Sequence, residues 1–169
     1  MRLFVAVNFN DDTRSRLLAL TDELRSKSER GSFVLPGNLH LTLAFLGECN
    51  DNQLNDSITA MEKTTYEPFD MYIDCLGCFK RNDGDLWWAG VRRSDALFNL
   101  QRSLSGNLKN AGFRLDDKRY KPHITLGRKV VTDLKPRKIE PFGQKVSKID
   151  LMKSERIDGV LTYASVFMS

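Results

Sequence analysis

The chain has little of the material from which specialised scaffolds are built. Its three cysteines, Cys49, Cys75 and Cys78, are an odd number, which argues against a disulfide framework. Five prolines and 11 glycines exclude collagen-like and low-complexity chains. No apolar run approaches the roughly 20 residues that span a bilayer. The opening Met1-Arg-Leu-Phe-Val-Ala-Val-Asn8 meets Asp11 and Asp12 too soon to hold a secretory apolar segment. A cytoplasmic protein without membrane attachment is the expectation. Histidine is also scarce: there are two, His40 and His123.

What is present suits an ordinary globular domain. A length of 169 residues fits one domain, residues 1–169, on a prior of about 150 residues per domain. Such a chain buries roughly 70% of its unfolded surface, so it needs no metal or disulfide to fold. The formal charge is +4, unevenly spread. Between Arg114 and Lys148 there are 11 Lys or Arg against 4 Asp or Glu. A basic segment inside a slightly acidic remainder suits a phosphate-bearing partner, although solvated charge clusters are as common.

Cys75-Leu-Gly-Cys78 is formally a C-x-x-C. A structural zinc site needs a second pair, and a redox site needs the motif to open a helix after a parallel strand. Here it ends an apolar run and leads to a turn, Asn82-Asp-Gly84. Half-buried residues at a strand end are expected.

Periodicity gives a mixed pattern of elements. Strands are expected at Leu3–Phe9, Leu39–Leu46, Phe69–Cys75, Leu86–Val91 and Pro122–Arg128. A helix capped by Asp11 or Asp12 carries Leu17, Leu20 and Leu24 and ends near Gly31. A shorter helix carries Leu54, Ile58 and Met61. A third, capped by Ser94 or Asp95, carries Leu97, Leu100, Leu104 and Leu108 and stops at Gly112. Pro136 and Pro141 mark a charged loop, and closing strands fit Val146–Met152 and Val160–Met168.

A weak internal repeat carries more information than any single element. Leu3-Phe-Val-Ala-Val and Leu86-Trp-Trp-Ala-Gly are apolar strands 83 residues apart. Each precedes a leucine-striped helix and then a strand, His40-Leu-Thr-Leu43 or His123-Ile-Thr-Leu126, again 83 apart. Both histidines of the chain fall in this tetrad. In a strand, residues i and i+2 share a face, so each histidine projects with its threonine while the apolar partners face the core. Two such strands brought together line one cleft with two imidazoles and two hydroxyls.

That set fits phosphoryl transfer by acid–base catalysis. With an ordinary pKa of about 6.5, one neutral and one protonated imidazole coexist near neutral pH. One takes a proton from water and the other gives a proton to the departing alkoxide. The threonine hydroxyls suit the non-bridging phosphate oxygens. Neither metal nor cofactor is required, and a two-histidine metal site lacks a carboxylate on the same face.

Asn38-Leu-His-Leu-Thr-Leu-Ala-Phe-Leu-Gly47, Leu86-Trp-Trp-Ala-Gly-Val91, Pro122-His-Ile-Thr-Leu-Gly-Arg128, Ile149-Asp-Leu-Met-Lys-Ser154 and Tyr163 resemble the bacterial RNA 2′,3′-cyclic phosphodiesterases, once called 2′-5′ RNA ligases, of the two-histidine phosphoesterase superfamily. The resemblance implies an α+β fold of two pseudo-symmetric lobes of antiparallel sheet, with outer helices and an active-site cleft between them. It implies metal-independent hydrolysis of RNA 2′,3′-cyclic phosphate ends to 2′-phosphates, with weak ATP-independent 2′-5′ joining. His40 and His123 fall on the family's catalytic positions, and Thr42, Thr125 and Arg128 on its substrate-binding positions. The resemblance favours His40 as acid and His123 as base. Ala44 and Cys78 depart from the family's frequent basic residue and glycine.

The expected partner is an RNA end or related nucleotide, with Lys118, Arg119, Lys121 and Lys129 adding charge and Tyr120 or Phe79 available to stack on a base. A monomer without an obligate protein partner is expected. The alternatives are the same site acting on a small nucleotide-derived cyclic phosphate, and an RNA-end-binding module with little turnover.

Overall fold

A computed structural model describes residues 1–169. Nine strands form two antiparallel sheets. The first sheet holds β1 (Arg2–Val7), β3 (Leu41–Glu48), β8 (Asp150–Ile157) and β9 (Val160–Met168) in the order β3-β1-β8-β9. The second holds β2 (Ser28–Phe33), β4 (Phe69–Phe79), β5 (Asp85–Val91), β6 (His123–Thr132) and β7 (Arg137–Val146) in the order β2-β6-β5-β4-β7. Setting β2 aside, β3-β1-β8-β9 corresponds strand for strand to β6-β5-β4-β7. The α+β class and its internal pseudo-symmetry are therefore as expected.

Three helices complete the chain: α1 (Asp11–Ser26), α2 (Asp51–Glu62) and α3 (Asp95–Asn110). Local chemistry sets their ends. Asn10, rather than Asp11 or Asp12, caps α1 by accepting from the Thr13 amide, leaving both aspartates in the first turn, where they complement the helix dipole. Asn50 and Gln53 form a reciprocal capping box on α2. Ser94 caps α3, and Gly112 follows it at φ +97°, the left-handed conformation that favours glycine. The α3 leucines at 97, 100, 104 and 108 are all buried, each contributing about 1.5–3 kcal/mol of transfer free energy.

The helices are exchanged between the halves. Helix α1 follows β1 yet lies on the second sheet, where Glu23 meets Arg137 at 2.7 Å and the Thr13 hydroxyl donates to the Gly143 carbonyl at 3.3 Å. Helix α3 follows β5 yet reaches β3, where the Gln101 amide donates to the Leu43 carbonyl at 3.4 Å. One cluster of 30 buried residues accordingly includes Val5 and Leu41 of one sheet with Trp87, Ile124 and Leu126 of the other.

Three expectations need correction. Helix α1 stops at Ser26 rather than near Gly31, and β2 begins two residues later. That strand, Ser-Glu-Arg-Gly-Ser-Phe, has no apolar alternation and is ordered by pairing with β6. The charged stretch around Pro141 is strand β7, not a loop. It lies at a sheet edge, and Pro141 falls where the β4–β7 register shifts between Ile73 and Cys75, a place where a missing amide is tolerated. Val146 closes β7, so the next strand starts at Asp150.

Candidate active site

The two His-x-Thr segments lie on neighbouring strands of different sheets. His40 immediately precedes β3, and His123 opens β6. A single 3₁₀ turn, Pro36–Asn38, delivers His40, and the Asn38 side-chain amide ties that turn to β9 by donating to the Leu161 carbonyl at 2.8 Å.

Each imidazole is held in the same way. His40 Nδ1 lies 2.7 Å from the Asn38 carbonyl, and His123 Nδ1 lies 2.6 Å from the Lys121 carbonyl. A carbonyl only accepts, so Nδ1 carries the proton in both rings and Nε2 is the nitrogen that changes protonation state. His40 Nε2 stands 2.9 Å from Thr42 Oγ1. The hydroxyl donates to the neutral ring and accepts from the protonated one.

The surroundings of the two rings differ. His40 contacts Phe4 at 4.9 Å between centroids and Tyr163 at 5.2 Å, edge to face. His123 contacts Phe79 at 5.2 Å, also edge to face, and Trp88 at 6.3 Å. Trp88 lies flat because Gly77 and Gly90 have no side chains: a Cβ at Gly77 would stand 2.3 Å from its ring. Burial lowers the pKa of His40, and the positive charges of Arg128 and His123 lower it further, against an opposing effect of the Asn38 carbonyl.

A β-bulge turns Arg128 to the face of Thr125, near enough for its charge to act on His40. Simple alternation would turn it away from Thr125, three residues earlier. However, Trp88 pairs with Thr125 while Trp87 pairs with Gly127, so Leu126 is an extra residue. Gly127 then faces the core, where an added Cβ would meet Phe33 and Val130, and Arg128 shares the face of Thr125. Its guanidinium is exposed and forms no ion pair. The other sheet has the same device. Ala6 pairs with Thr42 and Val5 with Ala44, skipping Leu43. Leu43 and Ala44 are both buried, and Phe45 takes the position corresponding to Arg128. Phe45 is 71% exposed, with its ring 6.3 Å from Phe4. The 83-residue offset that relates the two His-x-Thr tetrads also relates Phe45 to Arg128.

The offset of the first strands needs correction. Thr42 faces Ala6 and Thr125 faces Trp88, so β1 and β5 correspond at 82 residues, not 83. A one-residue slip exchanges the faces of a strand. It explains why Trp87 is 2% exposed in the core while Trp88 lines the cleft.

Tyr120, Cys75 and Cys78 form no hydrogen bond with either imidazole. The Tyr120 hydroxyl donates to the Thr42 carbonyl at 2.9 Å, which makes it a brace rather than a stacking surface. Cys75 and Cys78 lie within β4 at an odd spacing, on opposite faces of the strand, so they do not act as a pair. No three His, Cys, Asp or Glu side chains converge as a metal-ligand set. No helix is long and apolar enough to cross a membrane.

Two antiparallel sheets of corresponding strand order, each carrying a His-x-Thr segment, with the histidines near enough to act on each other electrostatically, define a bilobal phosphoesterase architecture. The model of the LigT-like phosphoesterases matches residues 7–88 and 91–166, and the chain belongs to that family. It is 38% identical over 130 residues to an RNA 2′,3′-cyclic phosphodiesterase of Archaeoglobus fulgidus, covering 76% of this chain and 72% of that one. It is 30% identical over 169 residues to the protein of the same name from Methanothermobacter thermautotrophicus, covering 92% and 90%. The E. coli LigT structure in complex with NADP+ superposes with a TM-score of 0.81 at 25% identity, covering 99% of this chain and 95% of that one.

Proposed function

We propose that the cleft hydrolyses 2′,3′-cyclic phosphate ends of RNA to 2′-phosphates, with His123 as general base and His40 as general acid. The observation carrying this reading is the pair of imidazoles locked at Nδ1 by carbonyls, leaving two Nε2 atoms for proton transfer. Water loses a proton to His123 Nε2 as its oxygen bonds to phosphorus. The bond from phosphorus to O3′ breaks, and O3′ takes the proton from His40 Nε2. A 2′-phosphate and a 3′-hydroxyl result. Thr42, Thr125 and Arg128 hold the non-bridging oxygens, whose charge grows in the transition state.

The lowered pKa of His40 fits the acid role once substrate is bound. In the free protein it favours a neutral ring. A phosphodiester anion beside the ring opposes the positive charges of Arg128 and His123 and favours protonation. Substrate therefore brings the acid into its working state.

The test is incubation with adenosine 2′,3′-cyclic phosphate in excess EDTA, without ATP, followed by identification of the product. Adenosine 2′-phosphate is expected. The 3′ isomer would overturn the polarity of the site, and activity lost in EDTA but restored by zinc would overturn the metal-independent mechanism. An RNA 5′-hydroxyl can replace water in the same step, but it competes with water at about 55 M, so 2′-5′ joining is weak unless the second end is held in the cleft.

Phe45 supplies a platform for a nucleobase beside that phosphate. Stacking on an aromatic ring is worth about 1–3 kcal/mol per base. Phe45→Ala is expected to raise KM for the cyclic nucleotide about tenfold with kcat within twofold, whereas Phe45→Trp retains affinity. Steady-state kinetics on the three proteins checks this, and an unchanged KM in the alanine variant would remove Phe45 from the site.

A further inference from the structure

The His-x-Thr segments belong to different sheets, so acid–base chemistry across the cleft depends on what holds the sheets in register. Strand β3 is the edge of its sheet, and its outward carbonyls have no strand to accept from. At the bulge they accept from the other half of the molecule. The Thr42 carbonyl receives the Tyr120 hydroxyl at 2.9 Å, and the Leu43 carbonyl receives the Gln101 amide at 3.4 Å.

Tyr120 is unusually placed for this. It lies three residues before His123, and the next carbonyl along the chain, that of Lys121, fixes His123 Nδ1. Thr42, at the other end of the bond, holds His40 Nε2 through its side chain. A continuous path therefore runs from the Leu161 carbonyl through Asn38, His40 and Thr42 to Tyr120, and onward along the backbone to the group orienting His123. The phenol ring packs edge to face on Phe98 of α3, with centroids 5.7 Å apart. Burial drives its pKa far above the usual tyrosine range, so the hydroxyl keeps its proton at any working pH.

We propose that Tyr120 is a positioning residue, whose hydroxyl bond to the Thr42 carbonyl sets the separation of His40 and His123. The catalytic consequence rests on the two-histidine reading above. Concerted proton transfer at opposite ends of one phosphate is sensitive to that separation, and a displacement of about 1 Å can cost 10²-fold in rate. Ground-state binding, by contrast, draws chiefly on Arg128 and Phe45, which Tyr120 does not touch, whereas Thr42, whose carbonyl it does hold, acts mainly as charge grows on the phosphate in the transition state.

Tyr120→Phe removes the hydroxyl and keeps the ring. For adenosine 2′,3′-cyclic phosphate, kcat is expected to fall about tenfold or more, with KM and the inhibition constant of adenosine 2′-phosphate within about threefold. Hydrogen exchange should accelerate in residues 40–44 and 119–124 together, and remain unchanged in the β8–β9 hairpin. Phe98→Leu, which loosens the ring but keeps the hydroxyl, should retain kcat. If Tyr120→Phe does not fold, Gln101→Ala gives the second reading, a smaller fall in kcat at unchanged KM.

An active Tyr120→Phe protein, a Phe98→Leu protein equally impaired, or accelerated exchange confined to residues 119–124 would each overturn the proposal. So would an unchanged kcat in Gln101→Ala, should that be the variant measured. If the unmodified protein failed to turn over the cyclic nucleotide, the reading of the site would fall. Exchange at residues 40–44 would still decide whether Tyr120 braces them.

Discussion

Replacement of either His40 or His123 by alanine is expected to lower kcat/KM for adenosine 2′,3′-cyclic phosphate by about 10³-fold, within the 10²–10⁴-fold span of a positioned acid or base. The double variant should lose little more, because the two proton transfers belong to one step and do not add. Folding should survive: both rings are only partly buried, each bonds one backbone carbonyl, and the one further bond, from His40 to the Thr42 hydroxyl, is to a side chain. A melting temperature within a few degrees of the parent, measured on the same samples, separates catalysis from collapse. Retained turnover in both single variants would end the two-histidine mechanism.

The same pair predicts a particular pH behaviour. kcat/KM should be bell-shaped, with limbs that belong to the coupled pair rather than to either ring. Because His40 is lowered in the free protein and bound phosphate favours its protonation, the alkaline limb of kcat should lie at higher pH than that of kcat/KM. The folded protein also takes up its His40 proton at lower pH than the unfolded chain does. This contribution to stability is present above the ordinary value of about 6.5 and is lost as pH falls through the folded value. Inorganic phosphate should reduce that loss. NMR titration of the imidazole C2 protons, with and without phosphate, measures the shift directly.

The parts of the molecule legible in the sequence were those governed by local periodicity. The leucine stripe of α3, a cap at Ser94 or Asp95 (the structure has Ser94) and the paired His-x-Thr strands follow from spacings of 3.6 and 2 residues and from capping chemistry. Strands β2 and β7 were hidden because each gains its order from a partner. β2 shows no apolar alternation, and β7 is charged and contains Pro141, which a sheet edge tolerates. The site was legible to the same degree. His40, Thr42, His123 and Thr125 follow from alternation within a strand. Phe45 does not, because the bulge at Leu43 changes the parity of its strand, and the core placement of Trp87 does not, because β1 and β5 correspond one residue out of step with the His-x-Thr strands. The Tyr120 bond joins residues 78 apart in the chain, a contact no local pattern encodes.

Arg128 depends most directly on that change of parity, and its replacement should have the next largest effect. An unpaired guanidinium on the face of Thr125 presents two donors to a phosphate, a geometry that an ammonium cannot reproduce. Arg128→Ala is expected to lower kcat/KM about 10²-fold, as loss of one donor to a developing oxyanion does elsewhere, with the loss shared between KM and kcat. Arg128→Lys should recover the charge-dependent part of KM but little of kcat. Removing the charge should also raise the pKa of His40, because Arg128 is one of the groups that lower it. Two independent readouts therefore follow from one substitution, one kinetic and one spectroscopic. Arg128→Ala with kcat/KM within threefold of the parent, or with His40 titrating as before, would mean that the bulge does not deliver this side chain to the cleft. The expected pattern, a large fall in alanine with partial recovery in lysine and a higher His40 pKa in alanine alone, requires the guanidinium to lie beside both the phosphate and His40.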